Sequence, residues 1–275
     1  MSHKLLFALT AAAAVLASAP ARASDIVYSG GGTLAQIVDG GGTNTIFTIL
    51  NMDSVTAAYT LNFYDDNGNP LTLSTTAGAA GTSVSGALPS GGSAIIQTSG
   101  AGSAVLQGYA VLATTNQLAG SAVFGIPLAT GTFAQASCPL DTGFDYIFAI
   151  PFDQTSDQTA AKTGVALVNS FGDAPYQTNG GDTVTLAATF YDQNGTTVAL
   201  PSITLPLGQH TAFLLDQHYP QIAGQKGAVV FQGTDTKGSS YAFKVLGIRA
   251  TGSTYTSITP IVPCNYSSNS QACTN

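Results

Sequence analysis

The sequence LNFYDDNG at residues 61–68 returns as ATFYDQNG at residues 188–195. In both copies apolar and polar side chains alternate up to the aspartate, and this period of two is typical of a half-buried antiparallel strand. An Asn-Gly pair then follows each strand, and such a pair accepts the positive φ angles of a type I′ turn. The two stretches therefore predict the same strand and hairpin turn, formed twice.

Three further blocks recur in the same order around this stretch, at offsets between 117 and 127 residues. They are ILN at 49–51 with LVN at 167–169, LPSG at 88–91 with LPLG at 205–208, and VFGI at 123–126 with VLGI at 245–248. Four ordered blocks indicate a duplication. The predicted organisation is a first unit at 24–138, a second unit at 139–264 and a polar tail at 265–275.

Periodicity and turn residues predict further strands in both units. The candidates are 45–50, 93–98, 104–113 and 118–125 in the first unit, and 163–169, 211–215, 227–232 and 240–249 in the second. About seven short strands per unit indicate an all-β fold of two tandem antiparallel β-sandwich domains, immunoglobulin-like or fibronectin-like. The cysteine and tryptophan marks of true immunoglobulin domains are missing, so the strand topology stays open.

The motifs DGGG at 39–42, ILN at 49–51, FYD at 63–65 and LP at 88–89, with their second-copy partners, are distributed along nearly the whole mature chain. They resemble a loosely defined group of exported bacterial proteins of uncharacterised function that carry tandem units. The resemblance implies a fold and no catalytic residues, because these motifs mark turns and strands. The second copy departs from the pattern, since residues 157–162 stand where the glycine triplet was and residues 177–182 are inserted.

The N-terminus has the three parts of a secretory signal peptide. Lys4 lies in a short polar region, an apolar run of 13 residues extends from Leu5 to Ala17, and the small-residue triplet at 21–23 precedes Ser24. The run is shorter than the roughly 20 residues that cross a bilayer. We therefore expect a signal peptide at 1–23, no membrane insertion, and a secreted, extracellular or cell-surface protein, with the periplasm as the alternative.

The mature chain is acidic and poor in cations. All 14 acidic residues are aspartates, and five cations beyond the signal peptide leave a net charge of −9. The five are Lys162, Lys226, Lys237, Lys244 and Arg249. Such a surface cannot neutralise phosphates, so nucleic acid and anionic membranes are not expected as partners.

Three cysteines lie near the predicted ends of the units, and export permits their oxidation. Cys138 and Cys264 are expected at equivalent places, and Cys273 follows nine residues after Cys264. The first choice is a Cys264–Cys273 disulfide, with Cys138 free or paired between chains; a Cys138–Cys264 bond is the alternative. Metal binding by the cysteines is disfavoured, because the sequence offers neither CxxC spacing nor a nearby histidine.

Two tyrosines are the candidates for ligand binding. Tyr64 and Tyr191 are expected to point away from the core at the same place in each unit, where they would stack on sugar rings beside Asp65 and Asp192. Alternatively, both tyrosines are cross-strand partners that stiffen the sheet.

The oxygen-rich turn at Asp65, Asp66 and Asn67 is a calcium candidate, since Ca²⁺ takes six to eight oxygen ligands. The spacing of an EF-hand loop is missing, and Asn-Gly already has a role in the turn. No other cofactor is expected.

Patterns that indicate catalysis are few. Asp141-Thr142-Gly143 is the triplet of aspartic proteases, but these need two copies and only one is present, in the connection between the units. His218 and Asp216 would share one face of a strand, as a Ser-His-Asp hydrolase requires, but no GxSxG motif accompanies them. We therefore expect no enzyme, with a secreted hydrolase as the remote alternative.

Together these features predict a non-enzymatic extracellular structural or adhesive protein, or a component of a secreted matrix. Its partners would be surface or matrix components, glycans, or the protein itself, because residues 25–33 could add as a strand to a neighbouring sheet edge. A secreted carbohydrate-binding module is the second interpretation.

Overall fold

The structure is a computed structural model that describes residues 31–127, 133–154, 161–172, 183–251 and 254–263. The predicted signal peptide, the predicted Cys264–Cys273 disulfide and the polar tail lie outside the described residues. Residues 25–30 of the stretch expected to add to a neighbour also lie outside them. Its last residue, Thr33, pairs within the chain, because its backbone exchanges hydrogen bonds with Asp141.

The first half of the described chain is built from antiparallel strands in two four-stranded sheets and one small hairpin. The strands are β1 Gly32–Asp39, β2 Asn44–Asn51, β3 Ala57–Asp65, β4 Leu73–Thr75, β5 Gly78–Gly81, β6 Ser83–Leu88, β7 Ser93–Gln97, β8 Leu106–Ala113, β9 Leu118–Pro127 and β10 Phe133–Pro139. Sheet I has the order β1-β8-β3-β6, sheet II has the order β10-β9-β2-β7, and β4 pairs with β5.

The second half forms two more four-stranded antiparallel sheets. The strands are β11 Ile147–Asp153, β12 Lys162–Val168, β13 Thr183–Asp192, β14 Thr197–Pro206, β15 His210–Leu214, β16 Lys226–Thr234, β17 Lys244–Thr251 and β18 Thr254–Ile258. Sheet III has the order β15-β12-β17-β18, and sheet IV has the order β11-β16-β13-β14. A one-turn helix α1, Leu215–His218, and a 3₁₀ turn, Pro220–Ile222, follow β15. No helix among the described residues is long and apolar enough to cross a membrane.

The second half repeats the strand order of the first. Sheet IV matches sheet I, with β11, β16, β13 and β14 in the positions of β1, β8, β3 and β6, and sheet III likewise matches sheet II. The chain is therefore all-β, with paired antiparallel sheets as in a β-sandwich. In an immunoglobulin constant domain the first two strands are neighbours in one sheet, whereas here β1 and β2 lie in different sheets.

The repeated sequence blocks form the same buried hydrogen bonds in both halves. Asn51 ends β2, and its side-chain amide donates to the carbonyl oxygen of Leu88 at 3.0 Å. Asn169 follows β12, and its amide donates to the carbonyl oxygen of Leu205 at 2.9 Å. Both asparagines are fully buried. The ILN/LVN and LPSG/LPLG blocks recur together because each asparagine satisfies a carbonyl group of the other block.

The predicted type I′ turns are wrong in type, although both hairpin turns form where expected. The amide of Gly68 donates to the carbonyl oxygen of Asp65, and the amide of Asp65 donates to that of Asn69. This pattern is a three-residue loop that ends in a glycine with φ +80°, rather than a two-residue loop centred on Asn-Gly. The second copy has the same bonds between Asp192 and residues 195–196.

The four sheets follow one another in layers in the order II, I, III, IV, and the edge strands of sheets II and III, β10 and β18, also contact each other, where the side chain of Ser257 bonds to the backbone of Ser137. Sheets II and I enclose one apolar cluster, which includes Phe47, Leu61, Phe63 and Phe124. Sheets III and IV enclose a second, which includes Val165, Leu167, Phe190 and Phe231. Sheet I packs on sheet III, because β1 contacts β12 and β17 while β8 contacts β15.

Strands between two layers are buried on both faces. Val165 and Leu167 of β12 point into the second cluster, whereas Ala166 and Val168 belong to the first. This explains the uninterrupted apolar run of β12, which is typical of strands covered on both sides.

Strand register corrects two of the predicted equivalences. Phe47 of β2 lies opposite Ala122, and the equivalent Val165 lies opposite Gly247. The alignment of the VFGI block with the VLGI block is therefore shifted by three residues relative to the structure. The reason is that strand pairing is set by which side chains face the core, and not by a short stretch of identical sequence. Cys138 also lies opposite Ala122, and Ile258 lies opposite Gly247, so Ile258 and not Cys264 occupies the position equivalent to Cys138.

The predicted strand cores at 45–50, 93–98, 118–125 and 163–169 are confirmed to within about two residues. The first and last strands of each half were not predicted. These four, β1, β10, β11 and β18, lie at sheet edges.

Candidate functional site

The main concentration of polar groups within the described residues lies where sheet I packs against sheet III. We call this contact surface between the two sheets the joint. His210 begins β15 and is almost fully buried. Its Nδ1 lies 2.7 Å from Oδ1 of Asp66, and its Nε2 lies 3.1 Å from Oε1 of Gln36. The side-chain amide of Gln36 donates to the carbonyl of Ile37, which leaves its oxygen facing the ring.

Further contacts surround this histidine at the joint. The backbone amide of His210 donates to the carbonyl oxygen of Asp66 at 3.0 Å. The carboxylate of Asp66 also accepts from the side chain of Gln107. The hydroxyl groups of Thr33 and Ser170 bond across the same contact. The side chains of Asp66 and Gln36 in the first half therefore hold His210 of the second half in place through hydrogen bonds.

The structure places Tyr64 at the joint, where it is half-buried, so the prediction that this tyrosine is exposed is wrong. Its ring lies 5.1 Å from that of Tyr109 and 5.0 Å from that of Phe171, measured between centroids. Burial by these neighbours raises the pKa of Tyr64. The residue does point away from the first core, as expected, but the second half covers that face.

Tyr191 is the matching tyrosine of the second half, and it remains 41% exposed. It lies on the outer face of sheet IV, in a shallow groove of about 360 Å³. The groove is lined by Ile147, Ala187, Thr189, Tyr191, Ala228, Val230, Gln232 and Pro263. These lining residues are uncharged, so the groove offers apolar contact and a few hydrogen-bonding groups rather than ionic recognition.

Asp65 and Asp192 hold the two repeated turns. Oδ1 of Asp65 accepts from the amides of Asn67 and Asn69 at 2.9 and 2.8 Å. Oδ1 of Asp192 accepts from the amides of Asn194 and Thr196, and these bonds, first that of Thr196, lower the pKa of Asp192. Both carboxylates are already used by backbone donors, as in an Asx-turn.

The calcium candidates do not converge on one point in the structure. Asp65 faces its own turn, whereas Asp66 faces His210 and Gln107. Among the described residues no group of three or more His, Cys, Asp or Glu side chains is placed to hold a metal ion.

Asp141 lies in the connection between the halves. Its Oδ1 accepts from the amide of Gly143 at 2.8 Å and lies 3.5 Å from the ammonium group of Lys244. Lys244 is almost fully buried, donates to the carbonyl of Gly143, and lies 5.3 Å from the ring centre of Phe144. Asp141 therefore stabilises a turn, and Lys244 holds this turn against sheet III by its bond to Gly143.

His218 and Asp216 do not form a catalytic pair, and the prediction that they share a face of a strand is wrong. Both lie in helix α1, where residues two positions apart point in different directions. The carboxylate of Asp216 pairs with Lys162, and the ring of His218 stacks on Phe213 at 4.1 Å between centroids. Burial lowers the pKa of His218.

Cys138 is a free thiol in the described residues, and it is buried inside the first half. Burial raises its pKa to about 12, so the thiolate is a negligible fraction at neutral pH. The prediction that Cys138 pairs between chains is disfavoured by this burial, because a partner cysteine cannot approach the sulfur.

The described architecture defines an all-β protein of stacked antiparallel sheets. Comparison with protein-family models and with curated proteins returns no match for this chain. The joint was not predicted from the sequence, because Asp66 and Gln36 lie 144 and 174 positions before His210. Asp66 belongs to the repeated turn motif, but there it was interpreted as a calcium candidate and not as a partner of a histidine. The run of apolar residues in β12 was the one available signal that sheet III is covered on both faces.

Proposed function

We propose that the protein is a non-enzymatic, exported structural or adhesive protein, built from two β-sandwich domains of immunoglobulin-like size. The signal-peptide pattern supports export, so the proposed location is extracellular or at the cell surface, with the periplasm as the alternative. Surface or matrix components and further copies of the chain are the proposed partners, and no cofactor is invoked.

The observation that carries this proposal is how the described polar side chains are used. The carboxylates of Asp65, Asp141 and Asp192 accept from turn amides, and His210 fastens the joint. A general base must instead be within hydrogen-bond reach of a substrate proton. Side chains that hold strands and sheets together support a structural protein rather than a catalyst.

The test is binding by the purified mature protein to cells, to secreted matrix and to abiotic surfaces. A structural or adhesive protein is expected to be retained on at least one of them, and the Asp141→Asn and His218→Gln variants are expected to bind equally well. A protein that stays monomeric at high concentration and binds none of these materials contradicts the proposal. Hydrolysis of peptide or ester substrates that is lost in either variant would favour the hydrolase alternative.

Carbohydrate recognition is the second candidate, and the open groove around Tyr191 favours it. An exposed tyrosine on an uncharged face is the type of group on which a sugar ring stacks. A glycan array probed with wild type, Tyr191→Ala and Tyr64→Ala tests it. Binding lost only in Tyr191→Ala supports a lectin, whereas no signal for wild type removes this candidate.

A further inference from the structure

The joint stacks two copies of the same pair of sheets in the same direction. Sheet III repeats the strand order of sheet II, and sheet IV repeats that of sheet I. The stack therefore consists of the pair II and I, followed by the equivalent pair III and IV. The outer face of sheet I is covered by sheet III. Within the part of the chain that the structure describes, nothing covers the equivalent outer face of sheet IV. The same holds for the outer face of sheet II, which is equivalent to the face of sheet III at the joint.

Equivalent positions on sheets III and II show this difference clearly. Ala166, opposite Ala212 on sheet III, is buried at the joint, and Ala212 packs against the first apolar cluster. Strand register makes Thr48 and Ile95 their equivalents on sheet II. Ile95 is 71% exposed, the largest exposure of any large apolar side chain in the described residues.

Equivalent positions on sheets I and IV also differ in whether they are covered. Tyr64 lies opposite Tyr109 on sheet I, and both rings are covered at the joint. Tyr191 lies opposite Ala228 at the equivalent positions of sheet IV, and this pair lines the open groove.

Both open faces also lack the charges that normally protect an exposed sheet. The strands of sheet II carry no Asp, Lys or Arg. On sheet IV the charged residues lie at strand ends, at Asp153, Asp192 and Lys226. Large apolar side chains exposed on such uncharged faces, Ile95 on sheet II and Tyr191 on sheet IV, favour contact with protein.

We propose that copies of this chain associate head to tail, with the outer face of sheet IV of one copy on the outer face of sheet II of the next. The contact repeats the packing of sheet I on sheet III. It joins two different surfaces, so each added copy leaves the same two faces open and the assembly grows as a chain. The inference rests on the proposed structural function, for which it names a second copy as the partner.

The experiment uses one blocking substitution on each face and a matched control. Ile95→Lys places a charge on sheet II, and Ala187→Lys places one at an exposed position of sheet IV. Val105→Lys makes a similar change at a half-exposed valine in the loop before β8, outside both faces. Circular dichroism and thermal unfolding establish that each variant keeps the fold.

Sedimentation velocity from micromolar to millimolar concentration then gives the oligomeric state. Wild type and Val105→Lys are expected to form species that grow with concentration, and Ile95→Lys and Ala187→Lys are each expected to remain monomeric. An equimolar mixture of these two variants is expected to form dimers and nothing larger, because only one pair of intact faces remains. This complementation is specific to a head-to-tail contact.

Two results overturn the inference. A wild-type protein that is monomeric throughout contradicts association, and a blocked variant that still dimerises alone shows a symmetric contact instead. Surface binding, measured on the same samples, separates this failure from failure of the proposed function. A monomer that still binds cells or matrix leaves the function standing and removes only the head-to-tail contact.

Discussion

Nδ1 of His210 lies 2.7 Å from a carboxylate oxygen of Asp66, a residue 144 positions earlier in the chain. The backbone amide of the same histidine donates to the backbone carbonyl of Asp66. The side-chain contact and the backbone hydrogen bond between His210 and Asp66 together restrict how the two halves can move relative to each other. The joint is therefore a specific contact rather than a flexible link between two independent sandwiches.

Replacing His210 with alanine is expected to lower the free energy of unfolding by about 1–3 kcal/mol, because Gln36 and Asp66 lose their shared partner inside the protein. Urea unfolding measures the effect. A double-mutant cycle with Asp66→Ala is expected to show coupling of at least about 0.5 kcal/mol. Gln193→Ala, at the matching turn position of the second half, is the control and should change stability by less than about 0.5 kcal/mol. Equal losses for His210→Ala and Gln193→Ala would contradict a specific joint.

Gly68 and Gly195 have the same conformation but different surroundings. Their φ angles are +80° and +82°, so alanine is strained at both and costs about 1–2 kcal/mol. A Cβ atom on Gly68 would also lie 2.8 Å from the carbonyl oxygen of Gly208 across the joint, whereas one on Gly195 meets nothing within 4 Å. Gly68→Ala is therefore expected to lower the unfolding midpoint clearly more than Gly195→Ala. Identical midpoints would show that the two halves are not packed closely here.

Cys138 is expected to resist thiol reagents in the folded protein, since it is buried and its pKa is about 12. Its modification by iodoacetamide at neutral pH should require unfolding, and mass spectrometry of the peptide that contains it measures the rate in native buffer and in urea. The exposed variant Val105→Cys provides a positive control for the reagent. Rapid native labelling, or a dimer on non-reducing electrophoresis that is lost in Cys138→Ser, would contradict this expectation.

His218 is expected to make stability depend on pH in the acidic range. Burial lowers its pKa from the ordinary 6.5 in the folded state, so the unfolded chain binds more protons between the lowered pKa and 6.5. The contribution of this residue is therefore present above about pH 6.5 and is lost as the pH falls through the lowered pKa. Melting temperatures of wild type and His218→Gln, compared from pH 4 to 8, should converge toward the acid end. A constant difference over this range would contradict the pKa shift.

Calcium is expected to leave the protein unchanged. The oxygens of Asp65 already accept from two backbone amides and from the side chain of Asn69, and a bound ion would have to break these bonds. Thermal unfolding with added Ca²⁺ and with a chelator should give the same midpoint. A rise in midpoint that Asp65→Asn abolishes would instead establish a calcium site in this turn.

Much of the fold was predictable because its signals are local. Alternation in β3 and β13 places every second side chain in a core, and Leu61, Phe63, Leu186 and Phe190 are all fully buried, as a period of two requires. Edge strands such as β1 carry no comparable pattern, because their position is decided by hydrogen bonding to a distant neighbour, here β8.

The candidate site was far less predictable. The tyrosines of the repeated motif have identical local sequence, Phe-Tyr-Asp, yet Tyr64 is covered and Tyr191 is open. No pattern within either copy distinguishes them. The difference depends on which of the two equivalent sheets faces the other half, and that sheet is sheet I and not sheet IV.

The all-β class, the duplication, and the strands and turns of the repeated blocks follow from the amino-acid sequence, since they depend on side-chain period and on residues such as Asn and Gly whose backbone preferences are local. The layering of the four sheets, the strand register, and the meeting of His210, Asp66 and Gln36 are set by the folded chain as a whole. Those contacts join residues that are distant in the chain, 144 positions in the case of His210 and Asp66, and their energy depends on packing and hydrogen-bond geometry that no local pattern encodes.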